Sequence, residues 1–295
     1  MRLTSTTTIS ISLPLSTPST SRKRMQAYRA VAAPPALNLI PAAGIAAFGW
    51  AFWHLQGIRL EPVLLVMWFA GGLLIYNADR IGTDAADEIN VSDRVRRDAK
   101  FANLRGLLIV SASLTLTAVP LLIGSLRLTT LVLVGTVTAI GYSVRLPLLS
   151  CRIKDVPIVK TLFPPLAITV AIAGMPLLCS EVVLPEKFAP AIGWAAAVLL
   201  FNVILCDMRD ITGDRITNVR SWPAICGVRN SALTLLGLIG VMLLSCPLPI
   251  LVNTAVVGYL GITALAFPAA SRRQWYYDWL VDGVLFVPVI VVLSS

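Results

Sequence analysis

The sequence is poor in the residues that most soluble catalytic and metal centres use. It contains a single histidine, His54, and five cysteines that are scattered without a Cys-x-x-Cys pair. A Ser-His-Asp triad or a histidine-rich metal centre is therefore excluded, and a thiolate metal site is disfavoured. Because His54 lies beside Trp50 and Trp53 near the end of an apolar segment, we interpret it as an interfacial side chain.

Charge is also scarce. Only 13% of the 295 residues are charged and 57% are hydrophobic, whereas soluble domains carry about 25% charge. A single soluble core of this length cannot hide so much apolar surface. Because the apolar runs have the length of helices, the sequence predicts an all-α, polytopic membrane protein. The net charge of +9 then reflects cytoplasmic loops, and no nucleic-acid partner is expected.

Apolar segments recur along the chain with short polar breaks between them. Each approaches the about 17–25 residues that cross a bilayer. We expect about nine transmembrane helices bundled around a central cavity that opens to the cytoplasmic side. Residues 1–28, rich in Ser and Thr without acids, are predicted to be a disordered or targeting-like tail, and residues 29–295 the membrane domain. The predicted spans are 35–55, 61–78, 104–124, 129–147, 158–179, 188–206, 230–248, 251–270 and 279–294.

The distribution of basic residues predicts the topology. With a cytoplasmic N-terminus, 21 of the 24 Lys and Arg residues lie in the tail and the cytoplasmic loops, and only Arg59, Arg127 and Lys187 lie outside. Such an excess is the positive-inside pattern of multi-pass proteins. We therefore expect the N-terminus and the active site on the cytoplasmic side. The membrane would be a bacterial inner membrane, or an organellar membrane if the tail is a transit segment.

Two acidic clusters, residues 77–88 and 207–215, begin where predicted spans reach the cytoplasm. Carboxylates so close to the hydrocarbon core are energetically costly, so their presence favours a functional interpretation. One such cluster alone would equally fit solvated loop residues that balance the charge of nearby arginines. At 100° per residue, Asp207, Asp210 and Asp214 lie within about 60° of one helical face, where they repel each other unless a cation binds. Oxygen ligands without His or Cys favour Mg²⁺. The predicted metal ligands are Asp79, Asp84, Asp87, Asp207, Asp210 and Asp214.

The loop after the fourth span supplies cations for a phosphate group. Lys154 and Arg145 are candidates to neutralise a diphosphate leaving group, and Tyr142 offers a hydroxyl or a ring face. Any one of these cations would equally fit an ordinary positive-inside residue. We predict catalytic roles for Lys154 and Tyr142. The predicted diphosphate-binding residues are Asn77, Arg94, Arg145, Lys154 and Lys160.

These motifs resemble those of the UbiA-type superfamily of intramembrane prenyltransferases, over roughly residues 30–295. The second acidic cluster and the following Gly227 resemble the second aspartate-rich motif of that family. Tyr142, Lys154 and Lys160 resemble the tyrosine and the lysines of its central cytoplasmic loop. The resemblance implies a UbiA-like domain of nine transmembrane helices.

The first acidic cluster departs from the usual motif, Asn-Asp-x-x-Asp-x-x-x-Asp. Ala78 follows Asn77, and Ile81 and Ala85 stand where the later acids belong. The cluster is instead similar to a divergent branch that reads Tyr-Asn-x-Asp-Arg, followed by Asp, Asp and Asn. The individual first-site ligands and the acceptor therefore stay open. The matching residues are Tyr76, Asn77, Asp79, Arg80, Asp84, Asp87 and Asn90.

The resemblance implies two Mg²⁺ ions that bridge the acidic clusters and an isoprenyl diphosphate. The expected reaction transfers the isoprenyl group to a lipophilic acceptor, such as an aromatic, quinone, chlorin, haem or lipid precursor, and releases pyrophosphate. The expected partners are these two substrates and the lipid bilayer. Two alternatives stay open, a membrane terpene cyclase on the same scaffold and a transporter or other non-catalytic membrane protein. A transporter would predict inverted-repeat hydropathy.

Overall fold

The computed structural model describes residues 35, 37–81, 85–144, 152–179, 183–245, 247–270 and 273–294. The predicted tail, Asp84 and Arg145 lie outside these residues. Asp87 lies in a described helix, but its side chain is not among those described. All regular structure in the described ranges is helical, which confirms the all-α prediction for that part of the chain.

Ten helices follow one another along the described chain. The last, α10, begins with a π-helical turn (Tyr276–Val281) and a 3-10 segment (Asp282–Phe286) before it continues as an α-helix (Val287–Ser294). A short 3-10 turn, Ile153–Asp155, lies between α5 and α6. The helices are α1 (Leu39–His54), α2 (Pro62–Ala78), α3 (Ala85–Ala99), α4 (Ala102–Ile123), α5 (Leu126–Ser143), α6 (Val159–Cys179), α7 (Phe188–Ile216), α8 (Trp222–Ser245), α9 (Ile250–Ala270) and α10 (Tyr276–Ser294).

Seven of these helices, α4 to α10, are long and apolar enough to cross a membrane. Helices α1 and α2 are apolar but shorter, with 16 and 17 residues. The seven long apolar helices identify the chain as an integral multi-pass membrane protein. Most predicted spans match their helices within four residues. The exceptions are α7, which continues ten residues beyond position 206, and α8, which begins eight residues before position 230.

The apolar helices pack into a closed ring. Helix α1 contacts α2, α2 contacts α4, and each helix from α4 to α9 contacts the next one along the chain. Helix α10 then returns against α1 and closes the ring. The polar helix α3, which the hydropathy pattern did not predict, packs against α7. Charged segments at the ends of α2, α6 and α7 are thereby gathered around one space.

Burial separates inner from outer helices. The apolar window of α7 is 61% buried inside the protein, whereas those of α4 and α8 are only 17% buried. Lipid tails solvate the exposed apolar side chains of α4 and α8, so no further protein layer is required there. Where helices α1 and α2 meet, a Cβ at Gly72 would lie 2.8 Å from Cα of Ala42. Small residues at such positions allow the close backbone approach on which helix packing in membranes depends.

Candidate functional site

Four of the six predicted metal ligands, Asp79, Asp207, Asp210 and Asp214, line one cavity at the ends of the helices. Its volume is about 190 Å³, below the about 300–1,000 Å³ of pockets that enclose a whole drug-sized ligand, so it is sized for a polar headgroup. The carboxylates that line it are Asp79, Asp207, Asp210, Asp214, Asp278 and Asp282. The cationic side chains that line it are Arg80, Arg94, Lys154, Lys160 and Arg209.

The second acidic cluster is held by side chains from the first turn of α6 and from the segment before α8. Asp207 and Asp214 are only 3% and 1% exposed. Lys160 Nζ donates to both carboxylate oxygens of Asp214 at 2.6 and 2.8 Å and lies 3.7 Å from Asp207 Oδ1. The Thr161 hydroxyl donates to Asp207, and Ser221 Oγ donates to Asp214 at 2.7 Å. Each buried carboxylate thus has both a cationic and a hydroxyl partner.

Asp210 lies on the same side of α7 but has a different partner. Arg209 Nε donates to Asp210 Oδ1 at 2.7 Å. The Arg209 guanidinium carbon lies 4.4 Å from the ring centroid of Tyr277 on α10, which is a cation–π arrangement. Together with Asp207 and Asp214, Asp210 lines the cavity, as the spacing in the sequence predicts.

Asp79 lines the cavity from the end of α2, where it follows Ala78 and keeps a right-handed helical backbone conformation. Lys154 Nζ donates to Asp79 Oδ1 at 2.8 Å, and Ser143 Oγ donates to the same oxygen at 3.1 Å. Burial raises the pKa of Asp79, but the charge and hydrogen bond of Lys154 outweigh it and hold the pKa below its usual value. The side chain keeps 46% of its surface accessible, and this residue lines the cavity.

The predicted catalytic residues Lys154 and Tyr142 both line the cavity. Lys154 lies in the 3-10 turn, where Asp155 accepts hydrogen bonds from the Arg152 backbone at 2.9 Å and from its guanidinium at 2.7 Å. Burial raises the pKa of Asp155, but the hydrogen bonds from Arg152 have the larger combined effect and hold the pKa below its usual value. The Tyr142 hydroxyl donates to the Lys160 carbonyl at 3.1 Å. Tyr142 therefore fixes the start of α6, which carries Lys160.

The structure places Asn77 apart from the other predicted diphosphate ligands that it describes. Its side chain is fully buried and does not line the cavity. Asn77 Nδ2 donates to the carbonyls of Leu37 and Leu73, both at 2.9 Å, while Asn77 Oδ1 accepts from Asn38 Nδ2 at 3.2 Å. Both ends of its amide are hydrogen-bonded at the junction of α1 and α2, which gives Asn77 a structural role, and a contact with the diphosphate stays a prediction.

Helix α3 brings two further residues to the cavity. Arg94 lines it, as expected for a candidate phosphate ligand. Asn90 also lines it and joins α3 to α7, because Asn90 Nδ2 donates to the Asp210 carbonyl at 3.0 Å and Asn90 Oδ1 accepts from the Gly213 amide at 2.9 Å. Arg80 Nη1 pairs with Asp98 at 3.0 Å near the end of α3. Burial and the nearby charge of Arg94 lower the pKa of Arg80 to about 10.

Sequence analysis missed the contribution of α10. Asp278, Asp282 and Tyr277 all line the cavity from this helix. Asp278 and Asp282 are four residues apart in an otherwise apolar final span. Two ionisable residues at that spacing inside a membrane helix are a signal for a functional face, and this signal was available in the sequence.

Comparison with solved structures assigns the fold. The chain is similar to the apo structure of a UbiA homolog from Aeropyrum pernix K1, with a TM-score of 0.60. The chain has the UbiA-type fold. The alignment covers 86% of this chain and 97% of that one at 13% sequence identity, so it supports the arrangement of helices and carries no residue roles. No protein-family model and no curated protein sequence matches the chain.

The acidic residues of this UbiA-type fold fit magnesium by their chemistry. Within the described ranges, no three His, Cys, Asp or Glu side chains are grouped closely enough to enclose a metal ion. The carboxylates are paired with cations instead, for example Asp214 with Lys160. Magnesium usually keeps several waters and binds through one or two carboxylates plus substrate phosphates. The residues therefore suit an ion that arrives with a phosphate group better than a preformed protein cage.

Proposed function

We propose that this protein transfers an isoprenyl group from its diphosphate to a lipophilic acceptor, in a magnesium-dependent reaction. The observation that carries the proposal is the cavity itself. Carboxylates from α2, α7 and α10 and lysines from the α5–α6 region surround a headgroup-sized space at one end of a bundle of apolar helices. An isoprenyl diphosphate has the same division, with a polyanionic head and an apolar tail.

The reaction balances without an external oxidant or reductant. The bond between C1 of the isoprenyl chain and the diphosphate oxygen breaks, and its electron pair leaves with the diphosphate. An electron pair of the acceptor forms a new bond to C1, and the acceptor loses one proton. The products are the prenylated acceptor, pyrophosphate and a proton.

The cationic residues have roles that follow from where charge develops. Lys154, Lys160 and Arg94 lie around the cavity and would stabilise negative charge on the departing diphosphate. Such preorganised stabilisation is strongest where water is excluded. Asp79, Asp207, Asp210 and Asp214 would hold magnesium, together with Asp84 and Asp87 of the first cluster. The metal would neutralise phosphate charge, and Tyr142 would position Lys160 through the backbone contact described above.

The membrane would supply both the tail site and the acceptor. The isoprenyl tail would lie among the apolar helices, and the headgroup cavity would open to the cytoplasm. This orientation rests on the excess of Lys and Arg in the predicted cytoplasmic loops. The membrane would be a bacterial inner membrane, or an organellar one if residues 1–28 direct the chain there.

The test uses the full chain in nanodiscs with geranyl, farnesyl and geranylgeranyl diphosphates and a panel of lipophilic acceptors. Pyrophosphate release and product masses are measured with magnesium, with EDTA, and after magnesium is restored. We expect release that EDTA abolishes and magnesium restores. Asp210→Asn should lower turnover by about 10²–10³-fold, the usual cost of losing one electrostatic stabiliser.

The matched control is Glu186→Gln, which makes the same chemical change at an exposed residue before α7. Its turnover should equal that of the natural chain. A product formed from the diphosphate alone would indicate a terpene cyclase. Absence of pyrophosphate release with every diphosphate, from a folded chain, would reject the enzymatic proposal and favour a transporter.

A further inference from the structure

Asp282 of α10 differs from the aspartates at the end of α2 and on α7 in its charged partners. Asp79, Asp207, Asp210 and Asp214 each have a Lys or Arg nitrogen within the 4.0 Å that defines an ion pair. Among the described residues, no ion pair involves Asp282, although it also lines the cavity. The Asp282 carboxyl has a neutral hydrogen-bond partner, the Asn202 amide, so no cation among the described residues compensates it within ion-pair distance.

The backbone around Asp282 is fixed from two sides. Asn202 Nδ2 on α7 donates to the Val281 carbonyl at 2.9 Å. Tyr259 Oη on α9 donates to the Leu280 carbonyl at 3.0 Å. A Cβ at Gly283 would lie only 2.5 Å from Tyr259 Oη. Asp282 also marks the change from a π-helical to a 3-10 turn, and π turns occur frequently at functional sites. These contacts hold the backbone on either side of Asp282, whose side chain lines the cavity.

A second hydrogen-bond acceptor lines the same cavity. Asn38 is 1% exposed, and its Nδ2 donates to the Tyr76 carbonyl at 3.0 Å and to Asn77 Oδ1 at 3.2 Å. Both partners are acceptors, so the assignment of nitrogen and oxygen in this amide is fixed. Asn38 Oδ1 has no hydrogen-bond partner among the described residues. A buried acceptor left unpaired is costly, and a bound group that donates to it would remove the cost.

Helix packing brings these two acceptors to neighbouring walls. Helix α1, which follows Asn38, packs against the 3-10 segment that begins with Asp282. A Cβ at Gly44 of α1 would lie 3.0 Å from Leu285 of this segment. One turn earlier on each helix, Pro41 and Asp282 both line the cavity.

We propose that Asp282 and Asn38 form the acceptor subsite and that it takes a neutral or cationic headgroup bearing O–H or N–H donors. The inference rests on the proposed function for its occupant. Two hydrogen-bond acceptors, one of them a carboxyl group without an ion pair among the described residues, favour a phenol, alcohol or amine. The same two groups disfavour a carboxylate, which brings no donor.

The experiment measures binding of three probes with the same tail to the full chain in nanodiscs. The probes are 4-pentylphenol, which has a donor, 4-pentylanisole, which has none, and 4-pentylbenzoate, which is anionic. Dissociation constants are measured with empty nanodiscs as the blank, so the result needs no turnover. We expect 4-pentylphenol to bind about tenfold or more tightly than either other probe, since a hydrogen bond to a charged group contributes a factor of this size.

The variant Asp282→Asn keeps the shape of the side chain and removes its charge. It should reduce the preference for the phenol over the benzoate by about tenfold, whereas Glu186→Gln should leave that preference unchanged. Equal binding of the three probes by the natural chain, or tighter binding of the benzoate, would overturn the subsite even if Asp282→Asn fails to fold. Pyrophosphate release without a donor preference would reject the subsite alone. A donor preference without any release of pyrophosphate would reject the proposed reaction alone.

Discussion

The two acidic clusters reach the same cavity by different means. Asp207, Asp210 and Asp214 lie on one continuous helix, so their common face follows from helical geometry. In the first cluster, α2 ends at Ala78 and α3 begins at Ala85, so the position of Asp79 depends on Lys154 and Ser143 from elsewhere in the chain. The relative positions of side chains on one helix follow from the local sequence, whereas those of side chains on different helices depend on tertiary contacts.

The clusters also differ in exposure. The Asp214 side chain is 1% exposed and shares a buried pair with Lys160, whereas the Asp79 side chain is 46% exposed. Breaking a buried pair by removing one partner leaves an uncompensated charge. The pair of Asp79 with Lys154 should contribute less, because the Asp79 carboxylate keeps much of its hydration although Lys154 is buried. The second cluster should therefore support the fold as well as the site, and the first should support mainly the site.

The largest effect is expected from Asp214→Asn compared with Asp79→Asn. Asp214→Asn should cost about 3–5 kcal/mol of stability because Lys160 loses its closest anionic partner. Asp79→Asn should cost about 0–1 kcal/mol, although both variants lose turnover. Thermal unfolding in detergent, followed by tryptophan fluorescence, measures the difference. Equal destabilisation of the two variants would contradict the distinction between the clusters.

A smaller effect is expected from Asn77→Leu at the junction of α1 and α2. The carbonyls of Leu37 and Leu73 lose their donor in this variant, which should destabilise the chain by about 1–3 kcal/mol. The KM for the isoprenyl diphosphate should stay unchanged in the folded fraction, because Asn77 does not line the cavity. If KM rises tenfold while the unfolding temperature stays the same, Asn77 is a ligand after all.

The smallest effect is expected from Asn90→Ala, which removes both hydrogen bonds between this side chain and α7. A loss of about 1 kcal/mol should raise hydrogen exchange in residues 85–99 by about fivefold and leave α7 unchanged. Thr130→Ala is the control, because its hydroxyl bonds only within α5 to the Leu126 carbonyl. Unchanged exchange in α3 would show that other contacts hold this helix.

The sequence predicted the membrane helices well but not the polar helix α3. Membrane spans are recognisable because a run of about twenty apolar residues is the length of helix that crosses the hydrocarbon core of a bilayer. Helix α3 is polar, so hydropathy does not reveal it. For the same reason the predicted span ends at 206 although α7 continues to Ile216, and only the spacing of Asp207, Asp210 and Asp214 indicated a helix beyond the span.

The candidate site was predictable where it depended on spacing, whereas the partners of each side chain were not. The common face of Asp207, Asp210 and Asp214 follows from their spacing of three and four residues along a helix. Asn77 was assigned to the diphosphate because it belongs to the first acidic cluster, and only the tertiary structure shows its contacts with Leu37, Leu73 and Asn38. Asp282 was overlooked because it stands apart from both clusters in the chain.

By itself, the sequence determined that the chain is a membrane protein. It also determined the approximate bounds of its apolar helices and which aspartates share a face of α7. These properties are local, because composition and helical periodicity act over a few turns. Tertiary structure decided which lysine pairs with which carboxylate and that α10 returns to the cavity beside α1. It also decided that, among the described residues, Asp282 has no ion pair and Asn38 Oδ1 has no hydrogen-bond partner. Those features depend on side chains far apart in the chain, which meet only when the helices close into a ring.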